Sequence, residues 1–172
     1  MQSDFLDRTQ VTAKASFVHR LFTAVAPRYD LMNRLMTGGR DRAWRRYVAT
    51  LASLPTEGLA LDVGTGTGDL ALALGERYPT TRVIGLDFCP AMLQRGREKI
   101  AAASMDGRLV LTTGDALHLP FPADTFHAVV SAFLLRNVAD ISRCFQETVS
   151  YTHLRAHETR HDLVCRLLLE KK

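Results

Sequence analysis

An α/β fold built on a parallel sheet is predicted for this chain, and three observations predict it. Apolar runs of five to seven residues alternate with amphipathic stretches of helical period from residue 59 onward. The first run ends in a glycine-rich loop that opens a helix. The next two are closed by acids, Asp87 and Asp115. Strands separated by helices of this length pair in parallel through right-handed crossovers.

Taken in order, residues 17–51 are predicted helical. Phe17, Leu21, Ala24 and Val25 fall at helix spacing, with breaks at Pro27 and at Gly38-Gly39. Leu59-Ala60-Leu61-Asp62-Val63 is a buried strand, followed by a helix over 69–77 that Tyr78-Pro79 closes. Strand, helix and strand follow over 82–87, 90–103 and 109–113. A fourth strand covers 126–132, and a helix starts near Asp140. The expected organisation is a helical lid or substrate region over 1–50, a binding core over 51–147 and a tail over 148–172. Three of the six histidines fall in that tail, which keeps neither a helix nor a strand period. Residues 149–159 resemble an in-frame translation of a transposon-end sequencing adapter, and 163–171 its distal part. The tail is therefore expected to be non-native.

Composition narrows the function classes. At 172 residues there is room for one core but not comfortably for two. A net charge of +4 without a basic recognition module argues against nucleic acid. The apolar runs fall far below membrane-spanning length, and the acidic start is no secretory signal. Cys89, Cys144 and Cys165 form no Cys-x-x-Cys pair, which argues against a zinc site or a disulfide framework and fits a reducing cytoplasm.

The loop Gly64-Thr65-Gly66-Thr67-Gly68 carries the first chemistry. Glycines let a backbone turn tightly and approach a ligand closely. A nicotinamide dinucleotide loop spaces its third glycine one residue further on and offers the helix start to a pyrophosphate. Here Asp62 precedes the loop and Asp69 follows it, which suits a cationic ligand without phosphate, such as S-adenosylmethionine. Asp87, about twenty residues on, can accept both ribose hydroxyls of an adenosine, or cap the next helix. Asp115 and Ala116 can meet the adenine edge, or hold a turn.

These residues resemble a class I S-adenosylmethionine-dependent methyltransferase, with a Rossmann-like sheet. Ala26-Pro27-Arg28-Tyr29-Asp30-Leu31-Met32-Asn33, Trp44, Gly85-Leu86-Asp87-Phe88 with Met92-Leu93, Leu119-Pro120-Phe121-Pro122 and Leu135-Arg136-Asn137-Val138 are similar to signatures of the ubiquinone/menaquinone biosynthesis C-methyltransferases. Ala132 stands where some members carry Ser, and Leu134 where Gly is common. The resemblance implies S-adenosylmethionine held by Asp62, Gly64, Gly66, Thr67, Gly68, Asp87, Phe88, Met92, Asp115, Ala116 and Ala132. It implies a prenylated quinol as methyl acceptor, with Tyr29, Asp30 and Asn33 in a lid. Arg136 is the candidate for steadying a developing phenolate, or pairs with Asp140, and Asn137 would orient the ring. It further implies that the first four of about seven strands are present and the C-terminal ones missing. Phe17, Leu21, Leu35 and Met36 read as plain core or as a cleft for a prenyl tail. Arg40, Arg42, Arg45 and Arg46 around Trp44 read as a solvated face or a contact with the inner face of a membrane. His118 and His127 are expected to be structural, without partners on the rim. A methyltransferase for another small molecule and a nucleotide-binding module without catalysis stay open as alternatives.

Overall fold

The structure, a computed structural model, describes residues 16–134 and 140–150, the side chains of Phe145 and Glu147 apart. The described part of a first helix, α1, covers 16–25. Pro27 cannot continue an α-helix, and a single 3-10 turn follows at Ala26–Arg28. Helices α2 (Tyr29–Met36) and α3 (Asp41–Leu51) complete the region, divided by a turn in which Gly38 and Gly39 both take positive φ.

The four strands are β1 (Leu59–Val63), β2 (Arg82–Asp87), β3 (Leu109–Thr113) and β4 (Ala128–Val130). All pair in parallel, in the order β3-β2-β1-β4. Helices α4 (Asp69–Arg77) and α5 (Pro90–Ala102) form the crossovers, and α6 (Ile141–Ser150) follows β4. Asp62 lies in register between Gly85 of β2 and Val130 of β4. The chain thus steps outward from β1 to β3, then returns to the other side of β1. Such a reversal opens a crevice at the carboxyl ends of the strands, the usual ligand position in open α/β sheets.

Strand alternation gives the sheet two apolar faces. Ala60, Val83 and Leu109 pack under α3, α4 and α5 with Leu70, Leu74 and Leu93, whereas Leu61, Val63 and Leu86 meet Leu119, Phe126 and Val129 on the opposite face. Two glycines bring the layers unusually close. A Cβ on Gly85 would lie 2.7 Å from Thr65 Oγ1, and one on Gly96 would lie 3.2 Å from the Thr67 carbonyl.

Strand β4 is shorter than the expected 126–132. Its partner β1 offers it only Ala60, Leu61 and Asp62, the Ser131 hydroxyl turns back to the Val63 carbonyl at 2.7 Å, and Phe133 takes a left-handed φ of 64°. Phe126 lies outside the ladder yet fully buried, edge-on to Phe121. Helix α6 runs to Ser150, three residues past the expected boundary, and the Ser150 carbonyl accepts the Asp124 N–H at 3.1 Å. Residues 151–172 of the expected tail lie outside the described residues.

The reading of Phe17, Leu21, Leu35 and Met36 as core is corrected. They are 60%, 47%, 73% and 78% exposed. For Leu35 and Met36 the reason is the orientation of α2. It turns Asp30 and Asn33 toward the protein and leaves Leu31, Met32, Leu35 and Met36 outside. Replacing Leu74, fully buried, with Ala should lower unfolding stability by ~2–5 kcal/mol. Leu35→Ala should change it by less than about 0.5 kcal/mol, as at an ordinary surface position. Denaturant unfolding of the two variants measures both.

Candidate functional site

The loop after β1 is fixed by backbone geometry first. Gly64, Gly66 and Gly68 have φ of 70°, 57° and 77°, a region that costs side chains dearly. The N–H groups of Gly64 and Thr65 both donate to the Leu86 carbonyl, at 2.8 and 3.0 Å. Asp87, buried at the end of β2, holds the next turn. Its Oδ2 accepts the Gly66 N–H at 2.8 Å and its Oδ1 accepts the Cys89 N–H at 2.9 Å. Burial raises its carboxyl above the ordinary value even so, the two amides offsetting part of the cost.

Asp62 lies beneath the same loop. Thr65 Oγ1 donates to its Oδ2 at 2.7 Å, while its buried Oδ1 has no partner among the described residues. Complete burial pushes this carboxyl up to about 7, with the Thr65 hydroxyl and the Arg45 charge pulling the other way. A cavity beside it is lined by Tyr29, Arg45, Asp62, Gly64 and Ala132, among others. A second lies against Asp87, with Phe88, Met92, Ala132 and Leu134 in its wall, and measures about 30 Å³. That is room for about one water molecule, whereas small-molecule sites usually span hundreds of cubic ångströms. The space is taken by Leu134. A Cβ on Gly64 would stand 2.6 Å from Leu134 Cδ1. Leu134 is thus laid over the loop. The residues fit an adenosine with a cationic tail once Leu134 moves aside: an unpartnered carboxylate oxygen, a glycine surface and a rim acid converge.

The N-terminal helices close over the loop through charge. Thr67 Oγ1 donates to Asp30 Oδ1 at 2.6 Å, and Lys99 of α5 reaches Asp30 at 3.0 Å, Thr67 at 3.1 Å and, in a short contact, Asp69. Tyr29 lines both cavities, edge-on to Phe22, which also meets Phe88. Asn33 is different: its Nδ2 is buried without a partner among the described residues and away from these cavity walls.

Sequence reasoning missed Lys99 and Thr65. A lone lysine on a helix carries no motif, and Thr65 was passed over inside the glycine spacing. Arg45 needs correction. It is buried, bonded to Asp41 at 2.5 Å and 3.5 Å from Asp69, so it does not belong to the exposed basic face. Burial would raise the Asp41 carboxyl, but the Arg45 hydrogen bond and charge bring it below the ordinary value. His118 also needs correction. It stands 3.1 Å from Asp115 Oδ2 and faces Arg143, on the rim. His127 accepts the Leu59 N–H through Nδ1 at 3.1 Å. The Asp115 carboxylate is spent locally on Leu117 N–H and His118, and its side chain is largely exposed. Ala116 packs behind it against the Leu61 face of the core. Asp140 accepts the Arg143 N–H at the start of α6, while Arg136 and Asn137 lie outside the described residues.

Comparisons with known proteins bear on this geometry. Residues 9–154 match the model of the ubiE/COQ5 methyltransferase family. A demethylmenaquinone methyltransferase of Roseiflexus sp. (strain RS-1) is 45% identical over 134 residues, 78% of this chain and 55% of the relative. The ubiquinone/menaquinone biosynthesis C-methyltransferase UbiE of Desulfotalea psychrophila is 42% identical over 137 residues, 80% of this chain and 54% of the relative. The chain therefore spans about half the length of the curated relatives it matches. Among solved structures, the [4+2]-cyclase SpnF superposes with a TM-score of 0.68 at 19% identity, over 80% of this chain and 56% of its own. A SAM-dependent methyltransferase from Aquifex aeolicus gives 0.56 at 19%, over 63% and 57%. These two likenesses concern the fold, which a cyclase and a methyltransferase share. With the family match covering most of its length, the chain belongs to the ubiE/COQ5 methyltransferase family.

Proposed function

We propose that this chain holds S-adenosylmethionine for the C-methylation of a prenylated quinol. The observation that carries the reading is the unpartnered Oδ1 of Asp62, buried beneath the glycine loop. An unpaired buried acceptor is costly, and a cationic ligand relieves it. Asp62 would face the ammonium of the methionine part across Gly64, Gly66 and Gly68. Asp87 keeps spare lone pairs for the ribose hydroxyls, with Phe88 and Met92 against the adenosine and Asp115 and Ala116 at the adenine edge. Bound there, S-adenosylmethionine supplies an electrophilic methyl group on its sulfonium. The relatives' names supply the acceptor class: demethylmenaquinone for one, ubiquinone and menaquinone biosynthesis for the other.

The protein's part is alignment and charge. A quinol ring carbon attacks well when the neighbouring hydroxyl has lost its proton, so a cation beside that oxygen lowers the barrier. Arg136 would take this role and Asn137 would orient the ring. Tyr29 and Asp30 would close the lid and keep water out, Asp30 through its bonds to Thr67 and Lys99.

Asp62 tests the reading directly. Cation binding favours its ionised form, so at a pH below about 7 binding must release its proton. Affinity for S-adenosylmethionine should fall below that pH, by up to about tenfold per unit. Asp62→Asn should bind weakly with that dependence flattened. Calorimetry in buffers of different ionisation enthalpy reads both, and a wild-type affinity unaffected by pH would count against the site. Asp87→Ala should weaken binding by ~1.5–3 kcal/mol, the range for hydrogen bonds to a charged group. In a version completed with the C-terminal half its relatives have, Arg136→Ala should lower turnover far more than cofactor affinity. Equal losses in both would refute the phenolate role.

A further inference from the structure

Arg45 reaches the cavity beside Asp62 from outside the glycine loop. Among the residues of that wall it is the one cation, where Asp62 and Asp69 are the acids. Its side chain is 8% exposed, although the other arginines of α3, Arg42 and Arg46, are exposed. The guanidinium is held through one nitrogen. Thr37 Oγ1 donates to Asp41 Oδ1 at 3.2 Å, and Arg45 Nη1 donates to Asp41 Oδ2 at 2.5 Å and stands 3.5 Å from Asp69. Its Nη2 and Nε have no acceptor among the described residues. Donors left open on a charge this deep are costly.

The ring of Phe133 stands over the guanidinium, 5.6 Å from its carbon to the ring centroid. Such a contact occupies none of the open N–H groups, whereas a carboxylate does so and binds more strongly. S-adenosylmethionine carries a carboxylate on the same carbon as the ammonium assigned to Asp62. The two groups therefore need partners in one cavity wall. Beside Asp62 and Asp69 that carboxylate is repelled unless a cation stands within reach. Arg45 is already felt at Asp62, where its charge opposes the effect of burial.

We infer that Arg45 receives the α-carboxylate of S-adenosylmethionine while Asp62 holds the ammonium. The inference rests on the cofactor reading and adds the residue that tells an amino-acid tail from a plain amine. Glycines and two acids alone would accept any adenosine with a cationic tail, and Arg45 restricts the site to the zwitterion. Phe133 gives up its place over the guanidinium when the carboxylate arrives. Thr37 and Asp41 touch no ligand in this scheme: they position the guanidinium.

The full chain is titrated calorimetrically with S-adenosylmethionine and with its decarboxylated analogue, which lacks only that carboxylate. The pH is kept above about 7, where Asp62 is ionised. The wild type should prefer S-adenosylmethionine by about tenfold or more, the scale of a hydrogen bond between charged groups. Arg45→Gln should abolish or reverse this preference, because the carboxylate then faces Asp62 and Asp69 alone. Arg45→Lys keeps the charge without the fork and should retain part of it. Removing Arg45 strands the buried Asp41, so Asp41→Asn/Arg45→Gln is measured beside it, with circular dichroism to follow the fold. A purely structural role would weaken both ligands alike and leave their ratio intact. Equal affinities in the wild type, or a preference that survives in both Gln variants, would overturn the inference and leave the cofactor site standing. A wild type that binds neither compound removes the cofactor site itself, and the carboxylate's receptor with it.

Discussion

The Asp87 carboxylate joins parts of the chain that sequence order keeps apart. One oxygen holds Gly66 in the loop after β1, and the other holds Cys89 at the start of α5. Both amides belong to backbone that no helix or ladder would satisfy, so the acid completes the hydrogen bonding of two turns. Its charge would be unstable at that depth without them. The loop therefore takes its shape from β2 as much as from its own glycines. The Leu86 carbonyl, receiving Gly64 and Thr65 from the neighbouring strand, repeats that dependence one residue earlier.

Around this junction the charges are arranged in two tiers. Asp62 is buried, half satisfied and poised near neutrality. Above it, Asp30, Asp69, Lys99 and Thr67 form a part-buried network that ties α2 to the loop. The lower tier suits a ligand that brings its own positive charge, and the upper tier holds the N-terminal helices in place while it does so. Phe133 and Leu134 stand between the tiers and the outside. A left-handed phenylalanine is conformationally costly, so the segment has reason to relax when something displaces Leu134 from Gly64.

Much of the sheet was legible in the sequence because buried parallel strands are nearly continuous apolar runs. The first three strands fall where periodicity and the flanking glycine and acids place them. The fourth was overextended, since an apolar run does not reveal how many residues its partner can pair. The loop and Asp87 were legible from spacing, but Asp87 is not the cap of α5: Cys89 holds that position without a side-chain cap bond, and Asp87 accepts the Cys89 N–H in the turn before the helix. The helical region was less legible. Spacing shows that Leu31, Leu35 and Met36 share a face but not which way that face points, and the answer depends on where Asp30 finds Thr67. Arg45 and Lys99 were hidden for a related reason: a cation's partner lies wherever the fold brings an acid, and Asp69 is 24 and 30 residues away from them. Arg136 and Asn137 keep the standing their motif gives them.

Gly85 and Gly96 stand outside the glycine loop, yet the loop settles onto the space where their side chains would be. Thr65 leans over the first and the Thr67 backbone over the second. In a saturation library sorted for ligand capture, these two columns should be as depleted as Gly64, Gly66 and Gly68 themselves. The sterically essential glycines of this site thus number more than its motif contains, and a motif-based search that scores only the loop would accept chains whose loop has nowhere to rest.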